Sequence, residues 1–426
     1  MKRFLCPALL ALALLNQGCQ SPSSPSPARG AAVTGHYPNL FAANGHTDAE
    51  VKSKIDAAYA QLFHGDNDNQ TVFYLAGTNA NGPFGFVTDV ANNDVRTEGL
   101  SYGMMIAVQL DHKADFDAIW NWARTFMFHS DPAHPSYQYF SWSMKTNGAL
   151  NDEMVAPDGE EYFIMSLYFA ANRWGSGSGI YDYRGMADCL LSNAVHRAVI
   201  TGQVTTRPSR TAAITAGPIF NPDHKMVRFS PTGADHTDPS YHLPAFYELW
   251  AKWGPPGDRD YWKEAAENSR TFFQWTTNPR TGLAPNYANF DGSPEAPAWN
   301  KGAADFRFDA WRTAMNWSVD WSWWRKDIHE REFSDRLQAF FAEKGISTYG
   351  NQFTLDGQQV AAEHSTGLVA MNAVASLAAT NPQRQEFVEA LWRTPIPNGH
   401  YRYYDGLLYL MGLMHCGGEF RALGPP

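Results

Sequence analysis

Six polar stretches, each running straight into a strongly apolar helical pattern, restrict what this chain can fold into. They are Arg96-Thr97-Glu98-Gly99-Leu100, Ala156-Pro157-Asp158-Gly159-Glu160-Glu161, Asp238-Pro239-Ser240-Tyr241-His242-Leu243-Pro244, Phe308-Asp309-Ala310-Trp311-Arg312, Glu363-His364-Ser365-Thr366-Gly367 and His400-Tyr401-Arg402-Tyr403-Tyr404-Asp405. Acids, His, Tyr and Arg collect at helix starts, where free N–H groups point, while the helix bodies that follow are greasy. Between them lie amphipathic, charged patterns such as Asp48 to Phe63, Arg259 to Trp275 and Glu330 to Glu343, which read as helices with one wet face. Six buried helices alternating with six half-exposed ones predict an all-α fold, an (α/α)6 barrel of six inner and six outer helices. The first turns of the inner helices would then form one cleft.

The chain has three parts by composition. Lys2 and Arg3 precede the apolar run Phe4 to Leu15, too short to span a bilayer and laid out as a secretory leader over 1–19. Gly18-Cys19 resembles a lipoprotein processing site, with Asn16 where such sites carry an aliphatic residue, so a lipid anchor at Cys19 is an open expectation. Residues 20–32 form a Ser/Pro-rich spacer, and 33–426 form one domain. The expected location is the periplasm or cell envelope, and the expected state is a monomer. Cys189 and Cys416 are the only cysteines after Cys19, and their pairing is open.

Composition narrows the chemistry. A formal charge of −10 argues against nucleic acid. The sequence has no HExxH, CxxC, Walker A, Rossmann or Gly-x-Ser-x-Gly motif, so no cofactor or metal is expected. His129 and His134 read as loop residues beside Pro132 and Pro135. The 15 Trp, 19 Tyr and 26 Phe suit sugar-stacking surfaces as well as a packed barrel.

What remains is carboxylate chemistry on an uncharged substrate. A glycosidic bond needs one protonated acid for the leaving oxygen and one carboxylate to activate water or attack carbon; Glu98, Asp158 and Asp309 are the candidates. Each has a plainer role open to it. Glu98 suits a helix dipole, Asp158 a capping box, and Asp309 an ion pair with Arg307 or Arg312. Gly99 and Gly103 clear bulk beside Glu98, so that another segment or a ligand comes close.

Ala156-Pro157-Asp158-Gly159-Glu160 with Ser166-Leu167, Ala170 and Trp174, together with Arg96 to Met104, resembles the signatures of glycoside hydrolase family 8. Tyr139-Phe140-Ser141-Trp142, Asp238 to Pro244, Gly282-Leu283-Ala284-Pro285 and Arg402 to Asp405 are similar to its branch of reducing-end xylose-releasing exo-oligoxylanases and related xylanases. The resemblance implies an (α/α)6 barrel that hydrolyses β-1,4-xylosidic bonds in xylan or xylo-oligosaccharides with inversion. It implies Glu98 as acid, Asp309 as base, Tyr241 as holder of the attacking water, Asp158 as a distorting contact in the −1 subsite and Trp142 as a stacking platform. Arg312 and Tyr404 complete the expected substrate contacts. His364 aligns with a Leu-His-Pro loop that recognises the reducing-end hydroxyl in exo-acting relatives, although Glu363 and Ser365 replace its neighbours; endo action is the alternative. A non-catalytic glycan-binding lipoprotein and a uronate-directed lyase are further alternatives, the second disfavoured by mostly acidic or aromatic helix starts.

Overall fold

A computed structural model describes Met1 and residues 29–207, 209–233 and 235–425. The expected leader, Cys19 and most of the spacer lie outside the described residues. In chain order the barrel helices are α1 (Asp48–His64), α2 (Thr97–Gln109), α3 (Lys113–Trp122), α4 (Pro157–Trp174), α5 (Tyr183–His196), α6 (Pro244–Trp253), α7 (Arg259–Thr276), α8 (Ala310–Trp324), α9 (His329–Lys344), α10 (Thr366–Val374), α11 (Arg384–Arg393) and α12 (Tyr404–Cys416). The outer patterns expected from Asp48, Arg259 and Glu330 match α1, α7 and α9 to within a residue at each end. Thr47 starts α1 with a capping box, its side chain accepting from the Glu50 N–H while Glu50 reaches back to the Thr47 N–H.

The even-numbered helices form the inner ring because they have no wet face. In α2 every residue but Glu98 is buried, and in α10 every residue but Thr366. Neighbours in the ring touch at α2–α4, α6–α8, α8–α10, α10–α12 and α12–α2; Tyr162 against Phe246, 5.3 Å between ring centres, joins α4 to α6. Each of α3, α5, α7, α9 and α11 packs on the inner helix before it, and α1 packs on α12, closing the outer layer.

Strands add a rim at the helix-start end. A five-stranded antiparallel sheet runs β1 (Phe73–Asn79), β2 (Gly82–Asp89), β3 (Asp94–Arg96), β4 (Ser143–Lys145), β5 (Leu150–Asp152). Its third strand hands the chain directly to α2. Pairing of Arg96 with Ser143, and a bond from the Thr97 N–H to the Trp142 carbonyl of 3.0 Å, place Trp142 beside Glu98.

Among the described residues packing is already present at Gly30, ahead of the expected domain start at Val33. Ala31 is buried in a single-turn helix, Ala31–Thr34, and a Cβ on Gly30 would fall 2.0 Å from the Trp323 carbonyl oxygen. Small residues at 30–32 therefore fit against α8 where a proline-rich spacer would not. Cys189 is exposed and Cys416 buried, and both are free thiols.

Candidate active site

The six inner-helix starts meet in a cleft of two hollows. One, of about 730 Å³, is bounded by Trp142, Asp158, Tyr241, Tyr287 and Trp299. The other, of about 390 Å³, is bounded by Phe308, Trp311, Glu363, Ser365, Tyr401 and Tyr404. Arg96, Glu98 and Asp309 line both and so mark the junction.

Beneath the junction lies Arg312, 1% exposed. Its Nη1 donates to Glu98 Oε2 and to Asp158 Oδ2, each at 3.1 Å, and Nη2 donates to Asp309 Oδ1 at 2.9 Å. Nη1 also reaches the Tyr102 hydroxyl. Arg312, expected among the substrate contacts, thus supports three carboxylates from below and is not among the residues that line the two hollows. It follows Asp309 by one helical turn, so the residue that approaches the cleft from the helix start drags its own counter-ion underneath.

One cation cannot neutralise three acids in a dry site, so protons are retained. Burial pushes the Glu98 carboxyl up to about 7; Arg312 opposes the rise, and Asp158 and Asp309 add to it. Burial likewise raises Asp158 above the usual carboxylate range, against the pull of Arg312. The second Glu98 oxygen, Oε1, accepts from the Tyr403 hydroxyl at 2.9 Å.

Capping accounts for neither Asp158 nor Asp309, although the ion pair of Asp309 with Arg312 is formed. Ala156 occupies the N-cap of α4 with Pro157 after it, and Asp158 Oδ1 accepts only the N–H of Gly159, at 2.8 Å. Asp309 stands at the N-cap of α8 yet makes no capping bond, and its side chain is 29% exposed into the cleft. Arg307 turns away to Asp305.

Trp142 is half-buried, with the Arg207 guanidinium 4.4 Å from its ring centre and Arg96 at 5.6 Å, both engaged by Asp94. Tyr241, 6% exposed, reaches the larger hollow from the turn Pro239–Tyr241. Tyr404 reaches the smaller hollow, with its hydroxyl donating to the Phe308 carbonyl at 3.1 Å. His364 departs from expectation. Exposed, it bonds through Nδ1 to the Tyr349 carbonyl at 2.8 Å and lines an outer groove with Asn44, His46 and Glu389, while its neighbours Glu363 and Ser365 line the cleft. Alternation of side chains along an extended segment accounts for this: if 363 and 365 face in, 364 faces out.

Residues 79–418 match the sequence model of glycosyl hydrolases family 8. The chain belongs to that family. As a family 8 member it is a glycoside hydrolase, and its two helix layers are the family's (α/α)6 barrel. It is 40% identical to the reducing-end xylose-releasing exo-oligoxylanase Rex8A of Paenibacillus barcinonensis over 92% of this chain and 98% of the relative. It is 39% identical to the reducing end xylose-releasing exo-oligoxylanase of Halalkalibacterium halodurans, over 93% and 97%. A crystal structure of a family 8 xylobiose complex from Teredinibacter turnerae is 51% identical, covers 93% of this chain and 100% of that one, and superposes with a TM-score of 0.90.

In this family 8 enzyme, three supporting residues escaped sequence reasoning. Asp238 is fully buried, its Oδ1 accepting the Ser240 N–H at 2.7 Å, so this carboxyl pins the turn that carries Tyr241, and burial and then Asp309 raise it above the usual carboxylate range. Asp-Pro-Ser was a turn signal in its own right. Glu160, pushed up to about 8 by burial, accepts the Phe140 N–H at 2.8 Å and anchors the segment leading to Trp142. Gly99 signalled a close approach beside Glu98, but nothing in the sequence said that Tyr403, 305 positions away, would make it and bond to the carboxyl.

Among the described residues His129, His134 and Glu153 form the one cluster with metal-ligand spacing. Its donor set does not suit a cation. His134 Nδ1 accepts the Ser136 N–H at 3.0 Å, which leaves the proton on the Nε2 that faces Glu153, and the two imidazoles stack in parallel at 4.1 Å with no shared in-plane point for a metal.

Proposed function

We propose that this enzyme hydrolyses β-1,4-xylosidic bonds by single displacement with inversion, releasing xylose from the reducing end of xylo-oligosaccharides. The observation that carries the reading is the pairing of Glu98 and Asp309 at the junction of the two hollows, on different nitrogens of one buried guanidinium. Glu98 retains its proton to about pH 7 and donates it to the leaving oxygen as the glycosidic bond breaks. Asp309, open to the cleft, takes the proton of a water held with Tyr241 as that water attacks the anomeric carbon from the opposite face. Asp158 holds the distorted sugar and Trp142 stacks a further one. The smaller hollow beyond Glu98 suits a short leaving group, and relatives named as reducing-end xylose-releasing at 35–40% identity support release of a single xylose.

Endo action is the second reading, favoured by one observation: His364 faces away from the cleft, so this chain does not read the reducing-end hydroxyl through that imidazole. A structure at 50% identity from Teredinibacter turnerae is described as a xylanase in complex with xylohexaose. Products from labelled xylohexaose separate the two: xylose and xylopentaose first for exo action, mid-length products first for endo action. Xylotriose reduced to its alditol should be cut far more slowly than xylotriose under the exo reading and equally well under the endo reading. The anomer formed first, followed by NMR, tests inversion; a retained configuration would sink it. Export and tethering through Cys19 belong to the proposal, supported by the apolar leader and the spacer that follows it, and a monomeric state is proposed with them.

A further inference from the structure

Of seven non-glycine residues with positive φ among those described, Phe308 is the only aromatic one, at +31°, and it directly precedes Asp309. A bulky side chain in the left-handed region is an outlier, and such a conformation persists only where its surroundings impose it. Burial of the ring does not impose it, since Phe308 is 48% exposed. The backbone does. Phe306 is bridged to Phe353 by two bonds, of 2.8 and 3.1 Å, and α8 begins at Ala310, whose N–H donates to the Arg307 carbonyl at 2.8 Å. The chain must reverse within three residues, and the left-handed residue makes the turn. The Phe308 carbonyl then accepts from the Trp311 N–H and from the Tyr404 hydroxyl, both at 3.1 Å. Downstream of that turn Asp309 forgoes capping and points at Arg312 Nη2 and the cleft.

We propose that Phe308 and Tyr404 form a positioning clamp for Asp309: the Tyr404 hydroxyl holds the Phe308 carbonyl, which keeps the left-handed turn that aims the carboxylate at the attacking water. The proposal rests on the reading of Asp309 as the base. Tyr404 is then a positioning residue acting through the backbone of its neighbour in space, not a sugar contact.

The test is a set of variants assayed on xylohexaose. Tyr404→Phe should lower kcat about tenfold or more with KM within about twofold, because aim is lost and binding is not. Phe308→Gly adopts the left-handed turn without a clamp, so in that background Tyr404→Phe should cost less than about threefold. Phe308→Ala keeps the Cβ that opposes the turn, so there the full Tyr404→Phe loss should persist, and melting midpoints of all variants check folding. A raised KM with kcat retained in Tyr404→Phe, or equal losses in the glycine and alanine backgrounds, would overturn the clamp. Asp309→Asn assayed alongside keeps the two claims separate: if it retains turnover the base assignment fails, and if it loses turnover while Tyr404→Phe does not, the clamp alone fails.

Discussion

Replacing Gly99 by alanine tests whether the close approach at the acid matters. A Cβ on Gly99 would fall 2.5 Å from Tyr403 Cε2 and 2.8 Å from its hydroxyl, against 3.4–4 Å for ordinary contact. The ring must retreat by roughly 1 Å, since repulsion rises steeply inside van der Waals contact. The 2.9 Å bond from Tyr403 to Glu98 Oε1 then opens beyond about 3.5 Å and ceases to be a hydrogen bond. That bond strengthens as Glu98 gives up its proton and becomes anionic, so its loss falls on the transition state. A hydrogen bond to a charged group contributes about 1.5–3 kcal/mol, which predicts a kcat loss of about tenfold to a hundredfold. Stability should fall by no more than about 2 kcal/mol, because overpacking costs about 1–3 kcal/mol and alanine returns about 1 kcal/mol over glycine in a helix. Turnover of xylohexaose and melting midpoints measure both. Tyr403→Phe, which deletes the hydroxyl without crowding, should lose a similar factor, and the double variant should lose no more than either alone. Wild-type turnover in Gly99→Ala, or a large loss there with none in Tyr403→Phe, would refute the reasoning.

Three further outcomes are expected. Because the Glu98 carboxyl titrates at about 7 and acts protonated, the pH–rate profile should fall on its alkaline side through about pH 7, and Glu98→Gln should remove that limb while cutting turnover by orders of magnitude. Arg312→Met leaves three carboxylates without their cation, at a cost of about 3–5 kcal/mol, and because uncompensated acids fold best when protonated, its melting midpoint should drop more at pH 8 than at pH 5. Glu160 has a folded-state value of about 8, above its ordinary 4.5, so its stabilisation is full at low pH and is lost as pH rises across that window. Glu160→Gln keeps the acceptor for Phe140 without the charge, so relative to it the wild type should lose up to about 1.4 kcal/mol per pH unit between those values, read by thermal unfolding at several pH values.

Periodicity carried most of the fold. Inner helices such as α2 and α10 are apolar all round and outer helices such as α1 and α7 have one charged face, so burial and exposure are written into the residues themselves, and the glycine at 99 announced the close contact that Tyr403 makes. Glu98, Asp158 and Asp309 stood out for a related reason: each opens a helix with a polar group that local capping does not need, whereas Tyr241 stood out through the family resemblance. Trp142 was legible only through its family resemblance, and what set it beside Glu98 was the pairing of β3 with β4.

Direction and long-range pairing were not legible. Whether His364 or its neighbours face the cleft turns on one residue of phase in an extended segment, and adjacent side chains look alike to any local pattern while pointing opposite ways. Arg312 read as one more cleft residue because its position gives no hint that Glu98 and Asp158, 214 and 154 positions earlier, arrive at the same guanidinium. The chain by itself determined which helices are wet and which are dry, since that depends on transfer of side chains from water. Only the closed barrel decided which acids share a cation, how far their carboxyls rise and which way Asp309 points, because those are energies between groups that sequence distance does not order.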